Sequence, residues 1–348
     1  MSTLLTVLIA LLVFGFLIFI HEFGHFISAR IFKVKINEFS IGMGPKLAWY
    51  DSKKSGIRYT LAMFPIGGFV AMAGENDESD DPNSFDKKPA WQRLIITFAG
   101  AFVNIVAGFL AMAILVAIIN VGDTTVAEFV DKSETGFDVS SSESGLMVGD
   151  RIVEIDGKRV DILDELSYEI MRRGHEPVDV TVIRDGEIIT ISDVVFPGLS
   201  EQGQHFGSMD FRVRRVEKTF GTVMKYTWQK SILIIRMCWE SLFDLFTGRY
   251  TVAAISGPVG ISSAISDAAK AGFASFLNIV AIISINLGVM NLLPIPALDG
   301  GRLLTILVEI VTKKKLPTKV EGMINGIGLI LLLAFSFVIM IKDVIQLF

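Results

Sequence analysis

Cysteine is almost missing, with one residue, Cys238, in a chain of 348. That excludes an intramolecular disulfide framework and a metal site built from thiolates. Charge is scarce too. Asp, Glu, Lys and Arg make up 20% of the residues, against about 25% in an ordinary soluble domain. They are absent altogether from residues 1–20, 94–122, 271–298 and 322–341, which excludes a purely soluble enzyme and a disordered scaffold. A basic excess is also lacking. The 32 basic and 37 acidic residues leave a net charge of −5, so nucleic acid is not expected as a partner.

What fills the chain is apolar: 51% of it is hydrophobic and its mean hydropathy is +0.54. Each charge-free run reaches the roughly 20 residues that cross a bilayer core as a helix. The fold class expected is therefore a polytopic α-helical membrane protein with four transmembrane helices. The first run has no basic segment before it and no small-residue cleavage site after it, so it reads as an uncleaved span. Arg30, Lys33 and Lys35 follow it, and Lys87, Lys88 and Arg93 precede the second. Lys313, Lys314, Lys315 and Lys319 lie between the last two. Basic loops stay inside, which places residues 34–92 and 299–321 in the cytoplasm and both termini outside.

The same reasoning divides the chain into a first span (1–33), a β-rich cytoplasmic loop (34–92), a second span (93–122), an outer insert (123–208), a connector (209–270), a third span (271–298), a basic loop (299–321) and a fourth span (322–348). Within the connector, residues 223–246 are apolar but carry Lys230, Arg236 and Glu240 beside Trp228 and Trp239. That composition suits an interfacial amphipathic helix better than a fifth span. In the cytoplasmic loop, 34–41 and 57–63 read as strands, while the acidic run 75–81 reads as a solvated connector. The insert reads as a small α/β module. It has strand candidates at 125–130, 151–155, 178–184 and 187–191, a two-residue turn at Asp185-Gly186, and a helix over 161–173 capped by Asp161 and stopped by Gly174. Its His175 and His205 read as surface residues.

The chemistry sits in the His21-Glu22-Phe23-Gly24-His25 stretch. On a helix, positions i and i+4 stack on one face, so both imidazoles can meet one Zn²⁺ with Glu22 beside them as a general base. The bare pattern also occurs on exposed helices with no metal. Here it continues directly from a charge-free run, where ionisable groups are costly and therefore functional by default. A catalytic zinc takes three protein ligands, and the candidate third is Asp299, the only acidic residue between Ala271 and Val308. Gly300 and Gly301 follow it and let the backbone turn tightly; the other reading of Asp299 is an N-cap for the helix that follows, a role compatible with binding a metal through a different oxygen. Pro294 and Pro296 break the third span before it, and such backbone is tolerated at membrane depth only against protein or water. Asn291 is a candidate hydrogen-bond donor between helices or toward a developing oxyanion.

These pieces together resemble the site-2 protease family of intramembrane zinc metalloproteases, in its PDZ-containing bacterial form that cleaves anti-sigma-factor-type regulators. The resemblance rests on HEFGH after the first span, the late NLLPIPALDGG over 291–301, and the run ESGLMVGDRIVEIDGKRV over 143–160, similar to bacterial PDZ domains. Further matching runs are FPIGGFV (64–70), FDKKPAWQRLIITFAGAFVN (85–104) and SGPVG (256–260). Ala71 and Ala101 depart from the family's usual lysine and proline.

The resemblance implies His21, His25 and Asp299 as zinc ligands, Glu22 as catalytic base, and Asn291, Pro294, Pro296, Gly67 and Gly68 as substrate-binding positions. It also implies a membrane-associated β structure that pairs with substrate, a peptide or substrate tail at the PDZ-like groove, and location in a bacterial inner membrane. The implied substrates are single-span membrane proteins cleaved in regulated intramembrane proteolysis, signal-peptide remnants among them. The alternatives are a catalytically inactive membrane-anchored PDZ adaptor, which would be expected to have lost one of the four site residues, and a metal transporter, for which the chain lacks an internal repeat.

Overall fold

A computed structural model describes residues 3–75, 78–130, 141–201, 204–248 and 256–345. Four of its helices are long and apolar enough to cross a membrane. They are α1 (Thr3–Ile31), α2 (Ala90–Ile118), the later α6 (Phe273–Asn291) and α8 (Thr318–Ile345). Each arises where the sequence offers no charge to solvate and backbone hydrogen bonding must close on itself. α6 stops at Asn291, shorter than the run 271–298, because Pro294 and Pro296 cannot donate to an α-helical ladder.

The chain divides into two compact units, residues 1–112 with 234–348, and residues 113–233. In the first, β1 (Ile36–Asp51) and β2 (Arg58–Met72) form a hairpin longer than the two short strands expected from sequence. The reason is a fold-back: Glu38, Phe39, Ser40 and Ile41 each have two strand partners, in 58–61 on one side and 68–71 on the other. Residues 68–72 are left as a sheet edge. Phe39, Val70, Met72 and Ile36 of this sheet pack against Phe26 and Ala29 of α1 and Ile96 of α2 in one apolar cluster. On its other flank α1 packs through Ala10, Val13 and Leu17 against Ile265 of α5 (Pro258–Ala271) and against α6.

The second unit holds a sheet of order β10-β3-β4-β6-β7, formed by β3 (Gly122–Phe129), β4 (Arg151–Ile155), β6 (Val178–Arg184), β7 (Glu187–Val194) and β10 (Phe211–Arg215). The short β5 (Lys158–Arg159) pairs with β4. A separate pair, β8 (Gly198–Glu201) and β9 (Gln204–Gly207), follows β7. α3 (Leu163–Arg173) contributes Leu166 and Ile170 to the core of this unit. Asp185 and Gly186 both have positive φ, 52° and 88°, as a two-residue hairpin turn between β6 and β7 requires.

Two expectations need correction here. The insert does not end at residue 208, because β10 pairs with β3 and buries Phe211 in the same core. Asp161 is not the helix cap. Ile162 is, and Asp161 instead donates its backbone N–H to Glu165 Oε2. Residues 131–140 of the insert and 76–77 of the acidic run lie outside the described residues.

The apolar, charge-interrupted connector forms α4 (Phe220–Thr247), which is not among the four membrane-length apolar helices. Phe220, Met224, Trp228, Ile232, Trp239 and Phe243 are exposed along it, a stripe at helical spacing.

Candidate metal centre

α1 continues past its apolar run, so His21 and His25 face the same side one turn apart. Both are buried, at 8% exposure. Their rings come close to α2 because Gly100 has no side chain: a Cβ there would lie 2.3 Å from His25 Nε2 and 2.9 Å from His21 Cε1. Gly24 serves the same crossing from the other side, where a Cβ would meet the Ala99 carbonyl oxygen at 2.5 Å. Small residues at a helix crossing let two backbones approach, and here the approach also seats the imidazoles.

Each ring is fixed by its outer nitrogen. His25 Nδ1 donates to the Ile96 carbonyl at 2.8 Å, which leaves the Nε2 lone pair free. His21 Nδ1 lies 3.4 Å from the side-chain amide of the fully buried Asn104. The Asn104 Oδ1 has no hydrogen-bond partner. Turning the amide over places that oxygen against Nδ1–H, satisfies the orphan and frees His21 Nε2 as well. Ser284 on α6 anchors the Asn104 backbone through its carbonyl, at 2.8 Å.

Asp299 arrives from the other end of the chain. After α6, the residues from Leu292 to Leu298 form a non-helical turn closed by bonds such as Ile295 N–H to Leu293 O at 2.7 Å. Ala297 takes φ 76°, left-handed for a residue with a Cβ, and its N–H donates to Asn325 Oδ1 of α8 at 3.2 Å. α7 (Asp299–Thr312) then begins, with Leu298 as its N-cap and Asp299 already inside the first turn. Asp299 is therefore not the cap. Gly300 and Gly301 likewise do not make the turn. A Cβ on them would strike the carbonyl oxygens of Leu293 at 2.0 Å and Ile295 at 2.5 Å, so their bareness lets α7 start hard against the preceding segment.

The result is a triangle. His21 Nε2 and His25 Nε2 are 3.2 Å apart, and Asp299 Oδ2 lies 3.1 Å and 3.3 Å from them. Asp299 Oδ2 is buried and has no hydrogen-bond partner. Donors about 2.0–2.1 Å from a tetrahedral zinc stand about 3.3–3.4 Å from one another, so this donor set fits that ion. Among the described residues, it is the one group of three His, Cys, Asp or Glu side chains with such convergence.

A small cavity of about 110 Å³ adjoins the triangle, lined also by Glu22, Val70, Met72, Glu75, Thr97 and Arg302. Glu22 Oε2 accepts the Val70 N–H at 3.2 Å, and Glu75 Oε2 accepts the Met72 N–H at 3.4 Å. Both donors belong to the 68–72 sheet edge. Arg302, one turn beyond Asp299, pairs with Glu75 and stands 3.6 Å from Glu321.

Of the substrate-binding candidates, Gly68 lies near Glu22, with its Cβ position 3.9 Å from Glu22 Cγ and 2.5 Å from the Ser40 carbonyl oxygen. Gly67, at φ 81°, backs onto Ile18 and Met43. Asn291, Pro294 and Pro296 are not among the cavity's lining residues. Asn291 closes α6, and Pro296 packs against Gly328 of α8. Sequence reasoning missed Gly100, Asn104, Glu75 and Arg302. Gly100 and Asn104 fall within a run matched only as a stretch, and nothing local signals that a glycine there faces two histidines.

Three converging donors beside a carboxylate on a membrane-length helix define the class, a metal-dependent peptidase. The comparisons with known proteins give the rest. The profile described as Peptidase family M50 matches residues 9–335. A Clostridium acetobutylicum protein named as a zinc metalloprotease is 35% identical over 340 residues, 97% of each chain. One from Fusobacterium nucleatum, similarly named, is 33% identical over 345 residues, covering 99% of this chain and all of its own. The regulator of sigma-W protease RasP of Bacillus subtilis is 26% identical over 430 residues, 99% of each. The chain belongs to peptidase family M50, the site-2 proteases, and is a zinc metalloprotease.

Proposed function

We propose that His21, His25 and Asp299 hold the zinc, that Glu22 is the general base, and that the enzyme cleaves peptide bonds within or near the transmembrane segments of single-span proteins. The observation that carries this reading is the triangle of three free donor atoms 3.1–3.3 Å apart. When bound there, zinc supplies Lewis acidity and activates water for attack.

The remaining work belongs to the chain. Ile96 and Asn104 orient the imidazoles, so that Nε2 of each faces inward. Glu22 is placed to take a proton from the attacking water at Oε2 and later return one to the leaving amine. A scissile segment must be extended before it can be cut, and the 68–72 edge offers backbone groups to pair with it. Asn291, Pro294 and Pro296 deliver Asp299 and shape the substrate's path, with Gly67 and Gly68 keeping the edge close to Glu22.

The sheet with α3 in the second unit serves as a PDZ-like module for a peptide or substrate tail. By the charge rule it is extracytoplasmic, as are both termini, and the metal centre opens toward the cytoplasmic side of a bacterial inner membrane. Anti-sigma-factor-type regulators fit as substrates, in keeping with the sigma-W regulator in the name of the Bacillus relative.

Zinc content of purified variants tests the ligand assignment. His21→Ala and Asp299→Ala should lose stoichiometric zinc while Glu22→Gln retains it. Full zinc occupancy in both ligand variants would refute the assignment.

A further inference from the structure

A second polar pocket, of about 660 Å³, opens where α1 ends, and its lining includes Arg30, Lys33, Lys35 and Lys54. Its one acidic lining residue, Asp81, pairs with Lys35 at 2.8 Å. That ammonium holds the Asp81 carboxyl below its ordinary value, so the pair stays charged and neutralises itself. Among the described residues, Arg30, Lys33 and Lys54 have no ion-pair partner. Ser55 and Asn83 add polar groups to the wall, and Val34 and Ile57 form a buried apolar floor.

The pocket also has a definite depth. α1 is apolar enough to span a membrane from Leu5 to Ile31, and α2 from Ala90. Ile31 is 68% exposed, and Trp91, 53% exposed, meets the Phe32 ring edge-on at 5.4 Å. Tryptophan at a span end marks the headgroup level. Three cations with no ion-pair partner among the described residues, of which Arg30 also lies 5.8 Å over the Phe26 ring, therefore line a depression that begins where the spans end and shares no lining residue with the cavity at the metal triangle.

We propose that this pocket is a binding site for the phosphate of an anionic membrane lipid. The inference rests on the reading of α1 and α2 as spans, and is independent of the catalytic assignment. A lipid phosphate would neutralise the exposed cations at their own level, with its glycerol on the apolar floor. Water-soluble phosphates share that chemistry but lack the interfacial tether. Because β1 leaves directly from this pocket, at Ile36, a bound headgroup would also brace the sheet whose far edge meets Glu22.

The test reconstitutes the full chain in nanodiscs of mixed phosphatidylglycerol and phosphatidylcholine and counts retained lipid by native mass spectrometry. Wild type should retain phosphatidylglycerol selectively. The Lys33→Gln/Lys54→Gln pair should lower that retention by about 25-fold, taking roughly fivefold per lysine. A control of equal charge loss, Lys313→Gln/Lys314→Gln, should leave it unchanged. Glycerol phosphate at millimolar concentration should not displace the lipid; displacement would reassign the site to a free phosphate. Equal loss in both double variants, or no selectivity in wild type, overturns the proposal. So does a chain that fails to enter nanodiscs, which would sink the membrane reading while leaving zinc content unaffected.

Discussion

At the residue scale the centre depends as much on absent side chains as on ligands. Gly100 shapes the proposed metal centre, since a methyl there would overlap His25 Nε2. Gly100→Ala should therefore yield folded protein with much-reduced zinc, measured by atomic absorption on the purified variant. Asn104 acts one step further out. Removing a partner that orients a ligating histidine costs about 10–100-fold in metal affinity, so Asn104→Ala should weaken zinc binding by that order in a chelator competition. Unchanged affinity would show that His21 needs no such support. The proposed ligands His21, His25 and Asp299, which the structure brings together, were legible from the i, i+4 spacing and the lone late aspartate, because that chemistry is written in residue type. Gly100 and Asn104 were not, because their roles exist only once α2 crosses α1.

At the element scale the turn before α7 and the sheet of the second unit store the clearest energetic commitments. Ala297 holds a left-handed conformation that costs about 1–2 kcal/mol for a residue with a Cβ. Ala297→Gly should leave zinc binding intact and raise the melting temperature slightly; a loss of zinc would mean that the methyl, not the backbone, positions Asp299. In the second unit Asp150 is 1% exposed at its side chain and is gripped by Arg184 through two bonds of 2.7 Å, with the Met147 N–H at 2.8 Å. Arg184→Ala would leave that carboxylate buried and unpaired, a loss of about 3 kcal/mol, readable as a lowered thermal transition. The four membrane-length helices were legible as charge-free runs, and β4 and β6 from alternation and turn residues, whereas α5 was read only as connector. The fold-back of β1 between two parts of β2 was not, because register is set by which strands meet. β10 was missed for the same reason: five residues after a boundary-like Ser-Met-Asp carry no local sign that they pair with β3.

At the scale of the whole molecule, a protease that works in lipid must limit what reaches its water. Two roles for the second unit make opposite predictions. If it gates by size, deleting residues 122–215, which removes β10 together with its partner β3, should make an intact single-span substrate with a bulky outer domain cleavable. If it captures a trimmed tail, the same deletion should slow cleavage of the trimmed substrate instead. Cleavage rates on both substrates, from one preparation, separate them. The four membrane-length helices, the ends of α1 and α7 that bring His21, His25 and Asp299 together, and the sheet edge at 68–72 together place polar chemistry in an otherwise charge-poor chain.

The most direct measurement of that arrangement compares three preparations of the purified protein in lipid with a model single-span substrate: wild type, Glu22→Gln, and wild type stripped with chelator and then resupplied with zinc. Wild type should produce fragments. Glu22→Gln should hold zinc yet be slower by at least about 100-fold, the usual contribution of a positioned base, and chelation should stop cleavage until zinc is returned. Equal fragment yield from all three would contradict a zinc centre served by Glu22.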